Sequence, residues 1–576
     1  MRACPRILRI LFSLAILLLW VGISAFAQNV APGPCPRPIP GSKVSEPEDL
    51  HSERGVLQVT LKFLTSYDEQ GKIRYCYLYK DGAQAPTLRL NPGDTLILSL
   101  ENNSAAESSS DDPSPPPMQM QMGPASCSKG KMTASSTNLH FHGLMIAPVC
   151  HQDDVLHTVV GPSGSPFEYR FQIPRGQPPG LYWYHPHLHG FTKVQVLGGA
   201  SGALIINGIE RVNPQLAGLP ERVFIIRDQE LLNPDAEPTT TDSAPHPVLL
   251  RDAEGDILNT GTDGGKPAKD LSLNYVPVPY PDYQPSVIEM RPNERQFWRV
   301  LNASGITYAD VQVVYDDSPQ PLGVAALDGV PIDENGIGGH GILWKNHILL
   351  PPAGRAEFIL KGPPVGARAR LITRGVDTGP LGENDPTRPL ASIISSIDAP
   401  EPHHIFAATP VSLKEPSPSA LLNIAPAHAR KLYFSEKPKD PSNPNSPTIF
   451  FLTVDGQTPA PFDPDSPLPN ITVQQGDVED WVIENRSQEL HAFHIHQIHF
   501  MLLDWNGVPL DEPFLRDTVN VAYWDGKSAT YPSVKLRMDF RDPEITGTFV
   551  YHCHLLEHED GGMMGTIRVL PALPKP

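Results

Sequence analysis

Four separate His-x-His pairs constrain this chain more than any other feature: His140 with His142, His185 with His187, His494 with His496, and His552 with His554. Side chains two apart on a strand point to the same side, so each pair presents two imidazoles to one place. Two pairs lie in the first third of the chain and two lie near its end. A fold that uses all eight rings must therefore place the motifs on strands and bring distant segments together. A single His-x-His pair arises by chance on exposed strands, but four are poorly explained that way.

Eight imidazoles suit a cluster of three copper ions in which two ions take three rings each and the third takes two. The fourth pair encloses Cys553. Alternation turns this thiol to the strand face opposite His552 and His554, so one short segment can serve metal on both sides. His491, three residues before His494, has odd parity and also turns away from the cluster face. His558 and Met563 follow beyond the strand. Two imidazoles, one thiolate and a weak axial thioether make up a blue-copper site. Met564 competes with Met563 for the axial place, and the spacing favours Met563.

The rest of the sequence reads as all-β. The 65 prolines and 45 glycines break it into short alternating apolar runs joined by turns. Arg2, Arg6 and Arg9, the apolar run from Ile10 and the Ala25-Phe26-Ala27 site mark a signal peptide over 1–27, which implies export to a periplasmic or extracellular space. An uncleaved anchor is the alternative, but the apolar run is short for a membrane span. About 550 residues remain, too many for one core and enough for three domains. One layout recurs three times: an apolar strand, a Pro or Gly turn with an acid, and a second apolar strand. It is seen at Thr87–Leu100, at Ser286–Val300 and at Asn470–Asn485. The expected domains are 48–208, 209–400 and 401–576, with a Ser-, Pro- and Met-rich insertion at 105–131 that carries Met118, Met120 and Met122. Cys4 leaves with the leader. Of the three pairings open to Cys35, Cys76, Cys127 and Cys150, the shorter loops favour Cys35 with Cys76 and Cys127 with Cys150. The net charge of -19 argues against a nucleic-acid partner.

His140-Phe141-His142-Gly143, Trp183-Tyr184-His185-Pro186-His187, His491 to His496, and His552 to Met563 together resemble, in order, the four copper signatures of multicopper oxidases. The last is similar to that of bacterial copper-efflux oxidases and laccases. The resemblance implies three cupredoxin-like Greek-key β-sandwich domains, copper in the first and third, and none in the middle one, which has only His246, His340 and His347. It implies four copper ions. His491, Cys553, His558 and Met563 would hold the type 1 ion, and His140 and His494 the type 2 ion. His142, His185, His187, His496, His552 and His554 would hold the type 3 pair. His189 is a non-ligand in similar sequences, His499 has the wrong parity to join His496, and His151 and His157 read as solvated loop residues.

The resemblance further implies a monomeric enzyme that oxidises a reducing substrate and passes electrons from Cys553, through its neighbours His552 and His554, to dioxygen. Glu559 and either Asp153 or Asp154, with Asp154 taken as the catalytic one, would deliver protons. Phenols and aromatic amines are the expected donors, with cuprous ion as the alternative. Ser487-Gln488-Glu489-Leu490 replaces the Asp and Met that copper-efflux enzymes carry before the motif, which weakens the cuprous reading, while the methionines of the insertion favour it. A non-catalytic copper carrier is the rival from another class, and it would not need eight cluster ligands.

Overall fold

The computed structural model describes residues 33–572 except 69–70, 81, 105–126, 128–131, 163, 238–264, 333–340, 406–417, 444–445 and 511–514. The expected leader, most of the 105–131 insertion with its three methionines, His246 and His340 lie outside these residues.

Among the described residues, six sheets stack in pairs as three cupredoxin-like sandwiches. In the strand Val56–Tyr67, Leu57, Val59, Leu61 and Phe63 are buried and the residues between them are exposed, as expected of a strand with one face on a core. The repeat expected from the sequence is visible in the pairing. One long strand lies parallel to the second strand of the recurring layout in every sandwich: Val56–Tyr67 with Thr95–Asn102, Pro220–Gln229 with Arg295–Asn302, and His428–Pro438 with Val478–Asn485. Each sandwich has its own apolar core. Pro220–Gln229 is buried at every position because both faces are covered: Phe224 and Ile226 face the middle core, while Val223 and Ile225 meet Leu181, Trp183 and Ile205 of the first sandwich.

Two sheets carry the histidines. In the first, His140–His142 pairs antiparallel with Gly180–His185, with His140 opposite His185. In the third, His491–Ile495 pairs antiparallel with Gly547–Cys553, which sets His494 opposite His552 and Phe493 opposite Cys553. Each sheet thus presents two motifs on neighbouring strands. The disulfides join Cys35 to Cys76 and Cys127 to Cys150, the pairing favoured by loop length, and leave Cys553 buried and free.

Candidate metal centres

The side chains of Cys553 and its neighbours diverge as strand alternation requires. On one face, Cys553 Sγ lies 3.5 Å from His491 Nδ1 and 3.7 Å from His558 Nδ1, and the two Nδ1 atoms are 3.1 Å apart. All three residues are buried. Their outer nitrogens are held in place: Ser487 Oγ is hydrogen-bonded to His491 Nε2 at 2.6 Å, and Glu489 Oε1 is 3.3 Å from His558 Nε2. Burial pushes the Cys553 thiol well up, a cost that a cation at the three inward atoms would offset. Met563 packs in the same core as Cys553, and its carbonyl accepts the Cys553 N–H. Met564 packs elsewhere, on Val155 and Val550.

His558 sits in the short helix Leu556–Asp560 and is only 6% exposed, but it forms part of the wall of a cavity of about 490 Å³. Tyr308, Phe450, Trp524, Glu436 and Glu489 also line this cavity. Phe450 stacks on the His558 ring at 4.3 Å. Burial, reinforced by Glu436, pushes the Glu489 carboxyl up to about 10.

On the other face of the strand, the eight imidazoles of the His-x-His pairs converge, all buried, from the first and third sandwiches. Sets of these rings with nitrogens close enough to hold one ion include His140, His142 and His494; His142, His185 and His554; and His187, His496 and His552. The last two share no ring and leave His140 and His494. Rings from opposite sandwiches stack, His140 on His496 at 3.7 Å and His142 on His494 at 3.9 Å. Hydrogen bonds on the far side decide which nitrogen faces inward. His185 Nδ1 donates to Pro186 O at 2.8 Å, and His494 Nδ1 donates to Asp517 O at 2.8 Å. His140 Nδ1 meets both Asp153 oxygens at 3.0 Å. The inward atoms, His140 Nε2, His142 Nδ1, His185 Nε2, His494 Nε2 and both nitrogens of His554, are buried without a protein partner. Buried polar atoms are seldom left that way, and metal coordination satisfies them. Burial, with the mutual repulsion of the rings, keeps most of them neutral, the form that binds metal.

Three carboxylates border the cluster. Glu559 is fully buried, with one oxygen 3.6 Å from His187 Nε2 and the other 3.1 Å from His552 Nδ1. Burial alone would raise its pKa, but His187 and His552 outweigh that and hold it well below the usual range. Asp153, which burial pushes up to about 6, accepts from the Phe141 amide at 3.0 Å and from Gln497 Nε2 at 2.5 Å. Asp154, the acid expected to act at the cluster, has a different partner from Asp153. Asp154 turns outward to His157 Nδ1 at 2.8 Å, because consecutive residues of this turn diverge and the Phe141 amide holds only Asp153 inward. Asp517, the third carboxylate, escaped the sequence reading, as did Ser487 as a partner of His491. The signal for Asp517 was an acid abutting the alternating polar and apolar run from Thr518 to Val521.

The remaining described histidines stay outside both centres. His189 packs edge-on against Phe462 at 5.1 Å, and His499 lies 3.3 Å from Asp328 O. His151 is exposed and stacks on Phe167 at 4.9 Å, and His347 pairs with Asp310 at 2.8 Å.

Comparisons with known proteins point to one family. Two sequence-family models described as multicopper oxidase match residues 131–211 and 438–572. A laccase of Haloferax volcanii is 24% identical over 461 residues, which is 76% of this chain and 67% of that protein. Multicopper oxidase mco of Staphylococcus aureus is 24% identical over 498 residues, 85% of this chain and 83% of that one. A solved multicopper oxidase of Campylobacter jejuni, described as a metallo-oxidase, has the same fold, with a TM-score of 0.62 at 22% identity across 93% of this chain and 96% of that one.

Proposed function

The chain belongs to the multicopper oxidase family and is an oxidoreductase, and from that premise we propose that it is laccase-like, coupling four one-electron oxidations of a phenol or aromatic amine to the reduction of one dioxygen to water. The observation that carries this reading is the convergence of eight buried imidazoles, several with unpartnered inward nitrogens, behind a His-Cys-His trio on the same strand. Such nitrogens and a thiol between two imidazoles are donors that suit copper.

We assign His491, Cys553, His558 and Met563 to a type 1 ion and His140 with His494 to a type 2 ion. His142, His185 and His554 would hold one type 3 ion, and His187, His496 and His552 the other, for four ions per chain. When bound, copper supplies one-electron oxidation at the thiolate centre and dioxygen reduction at the histidine cluster. The chain's own residues do the rest. Cys553 is joined by single peptide links to His552 and His554, so the two centres share a covalent backbone. Glu559 and Asp153 touch cluster histidines and are placed to relay protons there. The cavity beside His558 offers aromatic walls and carboxyl groups, and among the described residues its lining contains no thioether. That lining suits an organic donor, which must give up a proton with its electron, better than it suits cuprous ion.

The domain cuts near 208 and 400 belong to this reading, as do a monomeric state and export behind the 1–27 leader. Two disulfides support an oxidising compartment. Among the described residues, no helix is long and apolar enough to cross a membrane.

The test is oxygen uptake with a dimethoxyphenol, a phenylenediamine and Cu(I), together with copper per chain. About four coppers, and organic rates well above the cuprous rate, are expected. Faster turnover of Cu(I) would overturn the substrate, and one or two coppers in fully loaded, active protein would overturn the ligand assignment.

A further inference from the structure

Asp517 and Arg355 form a buried ion pair where all three sandwiches meet. Arg355 opens the middle-sandwich strand Arg355–Lys361, Asp517 immediately precedes the third-sandwich strand Thr518–Val521, and both are fully buried. All five guanidinium N–H groups of Arg355 have acceptors. Nη1 and Nη2 take the two Asp517 oxygens at 2.7 and 2.6 Å. The others go to Leu181 O of the first sandwich at 3.2 Å, Ala353 O at 3.2 Å and Asp328 O at 2.8 Å.

Asp517 also touches two rings of the cluster, one from each sandwich. Its Oδ1 lies 3.2 Å from His142 Nε2, and its carbonyl accepts from His494 Nδ1 at 2.8 Å. These contacts turn His142 Nδ1 and His494 Nε2 inward, the two atoms left without a partner. A glycine in the first motif makes room for the pair. A Cβ at Gly143, whose φ is +84°, would stand 2.6 Å from Asp517 Oδ2 and 2.8 Å from Arg355 Nη2. Gly143 is therefore tied to the ion pair by space as well as by its left-handed backbone.

We propose that Arg355, from the sandwich with no cluster ligand, is a positioning residue for the histidine cluster: its two-pronged grip on Asp517 sets the orientation and tautomer of His142 and His494. The middle sandwich thereby takes part in metal binding without supplying a ligand. Outer partners of this kind typically change metal affinity by about 10- to 100-fold.

The proposal rests on the copper reading, and the test separates the two. Removing one charge alone leaves the other buried and unpaired, which endangers folding. The informative variant is therefore the double change Arg355→Met with Asp517→Leu, which removes both charges at similar volume. The full-length protein would be loaded with copper and read by copper per chain, the type 2 electron paramagnetic resonance signal and the blue absorption of the Cys553 centre. Arg355→Lys is the conservative companion, keeping the charge and losing the fork.

The expected result is an intact blue band, a lost or altered type 2 signal and weaker cluster copper in the double variant, with partial recovery in Arg355→Lys. Wild-type copper content with an unchanged type 2 signal would overturn the proposal. So would loss of the blue band in step with the cluster, because that marks general unfolding. A wild-type protein that takes up no copper would defeat the copper reading itself, a separate result.

Discussion

The two centres share the strand Gly547–Cys553 and are built in opposite ways. The thiolate centre is made inside one sandwich, from His491, Cys553 and His558, and it borders a cavity. The histidine cluster is made between sandwiches and is enclosed. Asp153 ties His140 to Gln497 across the interface, and Asp517 ties His494 to His142. Strand alternation explains how one segment can serve both. A centre that meets varied donors needs access, whereas one that handles dioxygen needs enclosure by fixed, desolvated groups.

The largest expected effect tests whether the centres are separable. Cys553→Ser should abolish the blue colour and substrate oxidation while the cluster still binds its copper, because no cluster imidazole is altered. A variant that stays blue would place the colour elsewhere. On the enclosed side, Glu559→Gln should slow turnover by about 10²- to 10⁴-fold through lost proton delivery, while anaerobic reduction of the blue centre keeps its wild-type rate. Equal slowing of both steps, measured by stopped flow, would erase the division of labour.

A smaller effect is expected at the open centre. Met563→Leu should raise the type 1 potential by removing a weak donor that stabilises Cu(II), and Met564→Leu should leave it unchanged. Redox titration of the blue band reads both, and the reverse pattern would move the axial role to Met564.

The smallest effect concerns the cavity wall. Burial, opposed by Arg388, pushes the Asp385 carboxyl up to about 7. Its folded value lies above its unfolded value, so the folded state binds more protons between about pH 4 and 7. Stability from this group is therefore present at low pH and is lost as pH rises through 7, by at most about 1.4 kcal/mol per unit. Asp385→Asn should flatten the fall in the melting temperature of copper-free protein between pH 5 and 7, and an unchanged slope would assign the fall to other groups.

Much of both groupings was legible in the sequence because their residues come in closely spaced motifs. His552, Cys553 and His554 declare two faces of one strand, and the odd spacing of His491 from His494 assigns it to the thiolate side. The groups around the ligands were less visible. Asp153 and Asp154 are neighbours of equal chemistry, and partners brought in by folding, the Phe141 amide, Gln497 and His140, hold Asp153 inward. Ser487 and Glu489 stood out only as departures from a pattern, yet they hold the outer nitrogens of His491 and His558.

The sequence alone determined which atoms are available: the period-2 patterning that makes strands, the parity that divides ligands between faces, and the short loops that pair the cysteines. Those are local properties, set by alternation and chain length. Only the tertiary structure decided which ring nitrogen of each histidine faces inward, and that Arg355 of the middle sandwich pairs with Asp517 between His142 and His494. Those outcomes depend on hydrogen bonds that range from His185 with the adjacent Pro186 to Arg355 with Asp517, 162 positions away. They exist only once packing has closed the interface and removed the water that would otherwise satisfy the same groups.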